Sequence, residues 1–296
     1  MELRRLPNGA VSAGYGLNIS HKDSVAKTAS FSARNILLVQ IGICPRTRVS
    51  WQCRKTTALS RDTRDTEKVE SIRENLSEVE ERIASALARS RRKREEIALI
   101  AVTKTFPAAA IESAWQAGLR DFGENYVQEF ETKTPQLAHL DGARYHLIGH
   151  LQSNKVNKAS PLFDCVQTVD SARLARRLNQ ARADAGSPAL DVMVEVKLST
   201  EESKHGCDPK DLPRLLDEIR ALPQLRLLGL MTIPPFFEDP ERSRPAFARL
   251  RELASGHGLQ ALSMGMSNDF EVAIEEGATH IRVGTALFGR RTKPAG

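Results

Sequence analysis

A single lysine closes the run IALIAVTKTF, residues 97–106. From Ile97 to Lys104 there is no other charge, and β-branched residues recur, the pattern of a strand covered on both faces. Apolar walls disfavour an ammonium, so Lys104 can offer a neutral amine, the species that condenses with an aldehyde to a Schiff base. The plainer alternative is a lysine that has simply reached solvent at a strand end. Two later segments bear on the choice. SMGMSND (263–269) and RVGTALFG (282–289) each end an apolar run in Gly with Ser or Thr. Backbone N–H groups in such turns face anions, and Ser267 and Thr285 would add hydroxyl donors beside Gly284. An imine-forming lysine with a phosphate cradle points to a phosphorylated aldehyde, and pyridoxal 5′-phosphate (PLP) satisfies both. Arg282, two residues before Gly284 and on the same strand face, is placed to donate to a pyridine nitrogen and keep it unprotonated.

These residues need a scaffold that brings them to one end. Val69, Ile72, Leu76, Val79, Ile83 and Leu87 step by three and four, which predicts an opening amphipathic helix that ends in the charged stretch RSRRKREE, 89–96. Apolar runs then alternate with helical patterns. Eight candidate strands fall at 97–103, 119–123, 145–151, 163–169, 190–198, 225–233, 259–265 and 280–284, with helices at 107–118, 171–183, 208–221, 241–255 and 268–277. The fold class is therefore α/β, a single (β/α)8 TIM-type barrel over 68–296, with functional residues at the strands' C-terminal ends. An open doubly wound sheet is disfavoured, since neither G-x-G-x-x-G nor a P-loop occurs.

The net charge of +6 would suggest nucleic acid, but residues 1–68 hold 12 Lys/Arg against 5 Asp/Glu, leaving the other 228 residues at −1. That body carries no electrostatic footprint for DNA or RNA. Residues 1–67 form an irregular basic extension, read either as a transit-like segment or as a mis-assigned start, no methionine falling between Met1 and Met193. Four scattered cysteines favour a reducing compartment. ILLVQIGIC, 36–44, is too short to cross a bilayer, so the expectation is no membrane and a cytoplasmic location, organellar import remaining open.

Several motifs together, AVTKTFP (101–107), FGENYVQE (122–129), HLIGHLQSNK (146–155), ESKHG (202–206), GLMTIP (229–234), LSMGMSNDFEVAI (262–274) and IRVGTALFG (281–289), closely resemble the YggS/PROSC pyridoxal phosphate homeostasis proteins over essentially 69–296. The resemblance implies a barrel like the N-terminal domain of alanine racemase, with Lys104 in aldimine linkage to PLP. It also implies Asn125, Ser267, Gly284 and Thr285 around the cofactor, Arg282 at the ring nitrogen and Met231 near the ring. Phe106 departs from the usual VSKTK or VSKTV. His146 and His150, four apart on one strand run, read as packed or hydrogen-bonded rather than as metal ligands, and no metal is expected. Lys204 is a candidate anion contact and a candidate second PLP site. Cys165 reads as core.

The function expected is a PLP carrier that supplies apoenzymes and controls the free aldehyde, acting as a monomer. The alternative is a single-domain amino-acid racemase using the same lysine, for which no tyrosine has an evident place on the opposite face, Tyr126 remaining open, and no second β-rich domain follows Gly289. A colourless phosphosugar barrel is a more distant third.

Overall fold

Each apolar run becomes a strand and each amphipathic stretch the crossover that returns the chain to the same end. The computed structural model describes residues 59–199 and 205–289. Helix α1 (Leu59–Ser90) leads into β1 (Ala98–Val102), α2 (Ala108–Gln116), β2 (Asp121–Glu124), α3 (Val127–Leu137), β3 (Arg144–Leu147) and the short α4 (Val156–Ala159). There follow β4 (Cys165–Val169), α5 (Ala172–Asp184), β5 (Leu190–Glu195), α6 (Leu212–Arg220), β6 (Leu225–Met231), α7 (Arg244–Gly256), β7 (Ala261–Met266), α8 (Phe270–Glu275), β8 (His280–Val283) and the single turn α9 (Thr285–Phe288). All pairings are parallel and run in chain order. β1 closes the barrel against β8, with Ala98 opposite His280 and Ile100 opposite Arg282. The fold is an eight-stranded TIM barrel, as its strand and helix alternation predicts.

An apolar layer between the strands and the helices holds it. Leu190, Val192 and Val194 of β5 face the helices in the main core cluster, which also takes Val79, Ile83 and Ala86 of α1, Leu215, Leu216 and Ile219 of α6 and Phe247 and Leu250 of α7. Alternate residues face the barrel interior, and there the composition departs from the bulky aliphatics usual in such barrels. Asp191, Glu195, His146, Gln167, Ser263 and Arg282 are all buried. Burying so many polar groups is costly unless each is hydrogen-bonded, so the interior must serve something other than packing.

Several sequence expectations are corrected. Helix α1 begins at Leu59, so residues 59–67, assigned to the extension, are helical. Their composition, LSRDTRDTE, lacks the apolar stripe by which a helix announces itself. The run 145–151 is a strand only as far as Leu147, which takes His150 off the strand that carries His146. Helices α3, α4 and α9 are additional, and α3 tolerates Pro135 in its interior. The expectations for residues 1–58, including Cys44, Cys53 and Tyr15, and for Lys204 concern positions outside the described residues. Among the described residues no helix is long and apolar enough to cross a membrane, and Cys165 and Cys207 are buried free thiols.

Candidate functional site

All seven predicted site residues lie at the C-terminal half of the barrel. Lys104, half-buried, stands two residues beyond β1, Asn125 one beyond β2, Met231 last in β6, Ser267 one beyond β7, and Gly284 with Thr285 directly after Arg282 and Val283 of β8.

Lys104 is held by a strained turn. Thr105, next in the chain, has φ +67°, a left-handed conformation that a β-branched residue rarely adopts. The Phe106 N–H donates to the Thr103 carbonyl at 3.1 Å, and the Thr105 N–H donates to Glu129 Oε1 at 2.6 Å. Glu129 is fixed in turn by Lys133, 2.7 Å away on α3. The same Lys133 ammonium reaches Glu124 Oε1 at 2.8 Å and the Thr103 carbonyl at 3.1 Å, while the Thr103 hydroxyl donates to Glu124 at 2.8 Å. Glu124 is fully buried, and desolvation pushes its carboxyl pKa up against the pull of Lys133. A buried ion pair is weak evidence for stability but good evidence for a fixed geometry. Sequence reasoning missed this anchor, although Glu124 and Glu129 stand inside a quoted motif and Lys133 is a charge on the helix face that meets the barrel.

The candidate anion cradle is formed by the loops after β7 and β8. The N–H groups of Gly284 and Ala286 both donate to Ser267 Oγ, at 3.2 and 3.3 Å, which leaves the Ser267 proton and the two amides gathered at one point. Gly265 (φ +88°) makes this loop possible, because a Cβ there would lie 2.5 Å from Ala273 and 2.9 Å from the Phe270 backbone. Asp269 caps the loop, accepting from the Met266 N–H at 2.7 Å and the Ser243 hydroxyl at 3.0 Å. Thr285 is exposed above it. The last recorded β1–β8 pair is Ala101–Val283, so the chain segments that follow, Lys104 on one side and Gly284 to Ala286 on the other, leave the barrel side by side.

Arg282 is 3% exposed and donates to Ser263 Oγ at 2.6 Å and to the Thr232 carbonyl at 3.0 Å. Burial pushes its pKa down to about 10, with Asp269 and Glu195 opposing, so it stays a cation. Met231 is fully buried, in register between Glu195 of β5 and Ser263 of β7.

A cavity of about 240 Å³ opens at the β2, β3, β5 and β6 ends, lined by Asn125, Gly149, His150, Glu195, Lys197 and Ser199 among others. Its lining does not extend to Lys104 or to the β7 and β8 loops. Gly149 is pressed against the Asn125 backbone, where a Cβ would stand 2.3 Å from the carbonyl oxygen. Asn125 Oδ1 and Ser199 Oγ are buried here with no hydrogen-bond partner, the kind of polar vacancy a ligand fills. Burial raises the Glu195 carboxyl to about 7, with Arg282 opposing. A larger hollow, about 660 Å³, lies among Arg144, Asp164, Arg182 and Arg226 at the opposite end, remote from every predicted site residue.

The histidines part company. His146 is buried inside the barrel, 2.8 Å from Asp121 Oδ1. His150 stacks on His205, centroids 3.7 Å apart at 11°, with Asp170 3.6 Å away. Those three side chains are near enough to suggest a metal. Stacked parallel rings, however, hold their in-plane lone pairs in separate planes that do not converge on one ion. Tyr126 is 56% exposed at the start of α3, and Tyr145 packs outward against Phe122 and Phe130. Neither lies inside the barrel across from Lys104.

Comparison with known proteins now adds to this geometry. The family model of the alanine racemase N-terminal domain matches residues 71–292. A pyridoxal phosphate homeostasis protein of Pseudomonas aeruginosa is 48% identical over 223 residues, covering 75% of this chain and 96% of its own. One from Escherichia coli K12 is 43% identical over 229 residues, 74% of this chain and 97% of its own. PipY of Synechococcus elongatus, solved both without PLP and with PLP bound, is 42% identical with a TM-score of 0.64, covering 71% of this chain and 99% of its own. Alanine racemase of Clostridium difficile, at 12% identity and a TM-score of 0.60, shares the fold over 58% of its length. The chain belongs to the pyridoxal phosphate homeostasis proteins, a family built on the alanine racemase N-terminal domain.

Proposed function

We propose that this chain binds pyridoxal 5′-phosphate at the C-terminal mouth of its barrel, bound covalently but exchangeably through Lys104, and takes part in intracellular PLP homeostasis. The observation that carries the reading is the meeting of three unlike devices at one barrel end: an amine on a strained turn, two backbone N–H groups gathered on Ser267, and a buried guanidinium. That the PipY relative was solved with PLP supports it. When bound, the cofactor supplies an aldehyde that condenses reversibly with an amine.

The protein's part is placement. Ser267, Gly284 and Thr285 bind the phosphate, Arg282 donates to the ring nitrogen, Met231 packs near the ring, and Asn125 offers its unpartnered carbonyl oxygen to a polar substituent. Because a guanidinium holds the ring nitrogen unprotonated, the ring is a weak electron sink, which suits custody of the aldehyde better than carbanion chemistry. No observation favours the racemase reading, since Tyr126 and Tyr145 both lie away from the face opposite Lys104. Delivery to apoenzymes and a cytoplasmic location belong to the proposal, the latter supported by the two free thiols.

The test is the visible absorption of the full chain with added PLP, beside Lys104→Ala. A visible band removed by borohydride in the native chain and missing in Lys104→Ala is expected. Two colourless proteins would overturn the reading.

A further inference from the structure

Polar residues of the barrel interior form a continuous hydrogen-bonded chain that runs from Asp121 to Arg282. The guanidinium donates to Ser263 Oγ at 2.6 Å, and since arginine has only donors, the Ser263 proton must go onward, to Gln167 Oε1 at 2.6 Å. That fixes the Gln167 amide, whose nitrogen meets His146 Nδ1 at 3.2 Å. His146 therefore accepts at Nδ1 and donates from Nε2 to Asp121 Oδ1 at 2.8 Å. Each hydrogen has one direction, set from both ends: a group that can only donate at one, a carboxylate that accepts at the other. Gln167, Ser263 and His146 are buried, and they come from β4, β7 and β3, so the chain crosses the barrel rather than following one strand.

Resting on the cofactor reading above, we propose that Ser263, Gln167, His146 and Asp121 are positioning residues that orient the Arg282 guanidinium toward the cofactor's ring nitrogen. The argument is one of cost. Aliphatic side chains at these positions would fill the interior without desolvating polar groups, as they do in most such barrels. A network in which every member is satisfied offsets that desolvation and admits one arrangement of the guanidinium, with the Thr232 carbonyl holding its other arm. The charges around the chain agree with this arrangement. Glu195 and Asp269 act on Arg282, and Arg144 and His280 act on Asp121. A guanidinium released from Ser263 would turn toward these carboxylates and lose its aim.

The experiment compares the full-length native chain with Ser263→Ala, Ser263→Thr and Gln167→Leu, each first shown to be folded by its thermal transition. Loaded with PLP, Ser263→Ala and Gln167→Leu are expected to move the pH midpoint of the visible band by about one pH unit and to release cofactor about tenfold faster on dilution, the loss of one hydrogen bond to a charged group. Ser263→Thr, which keeps the hydroxyl, should restore both. Without cofactor, imidazole ¹⁵N signals should place the His146 proton on Nε2 in the native chain and report the loss of a donor to Nδ1 in Gln167→Leu. Should Gln167→Leu not fold, the Ser263 pair carries the same comparison. A native band with Ser263→Ala unchanged in both midpoint and release overturns this inference alone. A native chain without a visible band overturns the cofactor reading, and this inference with it.

Discussion

At the scale of single residues, the site is a set of buried charges whose environments set their protonation. Glu195 illustrates the sign. Its carboxyl is raised from 4.5 to about 7 by burial, so the folded state holds a proton that the unfolded state has released between those values. Its contribution to stability is complete below about 4.5 and is lost as pH rises toward 7. Glu195→Gln, which keeps the shape and removes the charge, is expected to stabilise the cofactor-free protein by up to ~3 kcal/mol above pH 7 and to flatten the decline, checked by urea midpoints at pH 5 and pH 8. Equal midpoints for variant and native chain at pH 8 would show that Glu195 ionises there without penalty. Lys133 makes the opposite case. Lys133→Met leaves Glu124 buried without its counter-ion, at a cost of ~3 kcal/mol at neutral pH that shrinks in acid as Glu124 protonates. The residues legible in the sequence, Lys104, Ser267 and Arg282, were those whose chemistry interrupts an apolar run or closes a strand. Thr105, Glu129 and Lys133 were not, because a positive φ and an anchor 24 to 28 residues away leave no local pattern.

Among elements, α1 precedes the barrel and yet grips α8 and α9 near its end. Arg82 forms a two-pronged pair with Glu271 at 2.7 and 2.9 Å, stacks over Phe270 and donates to the Ser267 carbonyl at 3.2 Å. Asn75 donates to the Leu287 carbonyl at 2.8 Å, and Arg92, two residues past the helix, donates to the carbonyls of Ile274 and Ala278 at 3.0 and 2.7 Å. The candidate anion cradle is therefore braced from behind by a helix that contributes no residue to it. Arg82→Ala should cost only ~1 kcal/mol of stability, the pair being partly exposed, or roughly 2–4 °C in thermal midpoint. It should also weaken retention of PLP or inorganic phosphate several-fold, measured by equilibrium dialysis. Unchanged retention would show that α8 and β8 hold Ser267 unaided. The barrel itself was readable because parallel strands covered on both faces are continuous apolar runs. The boundaries that failed were at Leu59, where the helix opens on a stretch with no apolar stripe, and at His150, where an apolar run outlasts its strand.

For the whole molecule, charge separates what the barrel does from what precedes it. Residues 1–58 hold 9 Lys/Arg against 2 Asp/Glu, while residues 59–68 add three of each sign, so a chain starting at Leu59 carries −1 where the full chain carries +6. Affinity for polyanions depends on cations that displace condensed counterions, and a near-neutral body offers few of them in surplus. The full chain is expected to be retained on immobilised heparin at ~0.05 M salt and to elute by ~0.2 M, whereas residues 59–296 should pass through under both conditions. PLP binding by the two should be the same, because every proposed site residue lies beyond Leu59 and the proposed phosphate site consists of directed N–H and O–H donors rather than a surplus of positive charge. Retention of the shortened chain on heparin would place a polyanion surface on the barrel. Loss of its PLP binding would mean that the basic segment completes the site, and the cradle of Ser267, Gly284 and Ala286 would then be insufficient by itself.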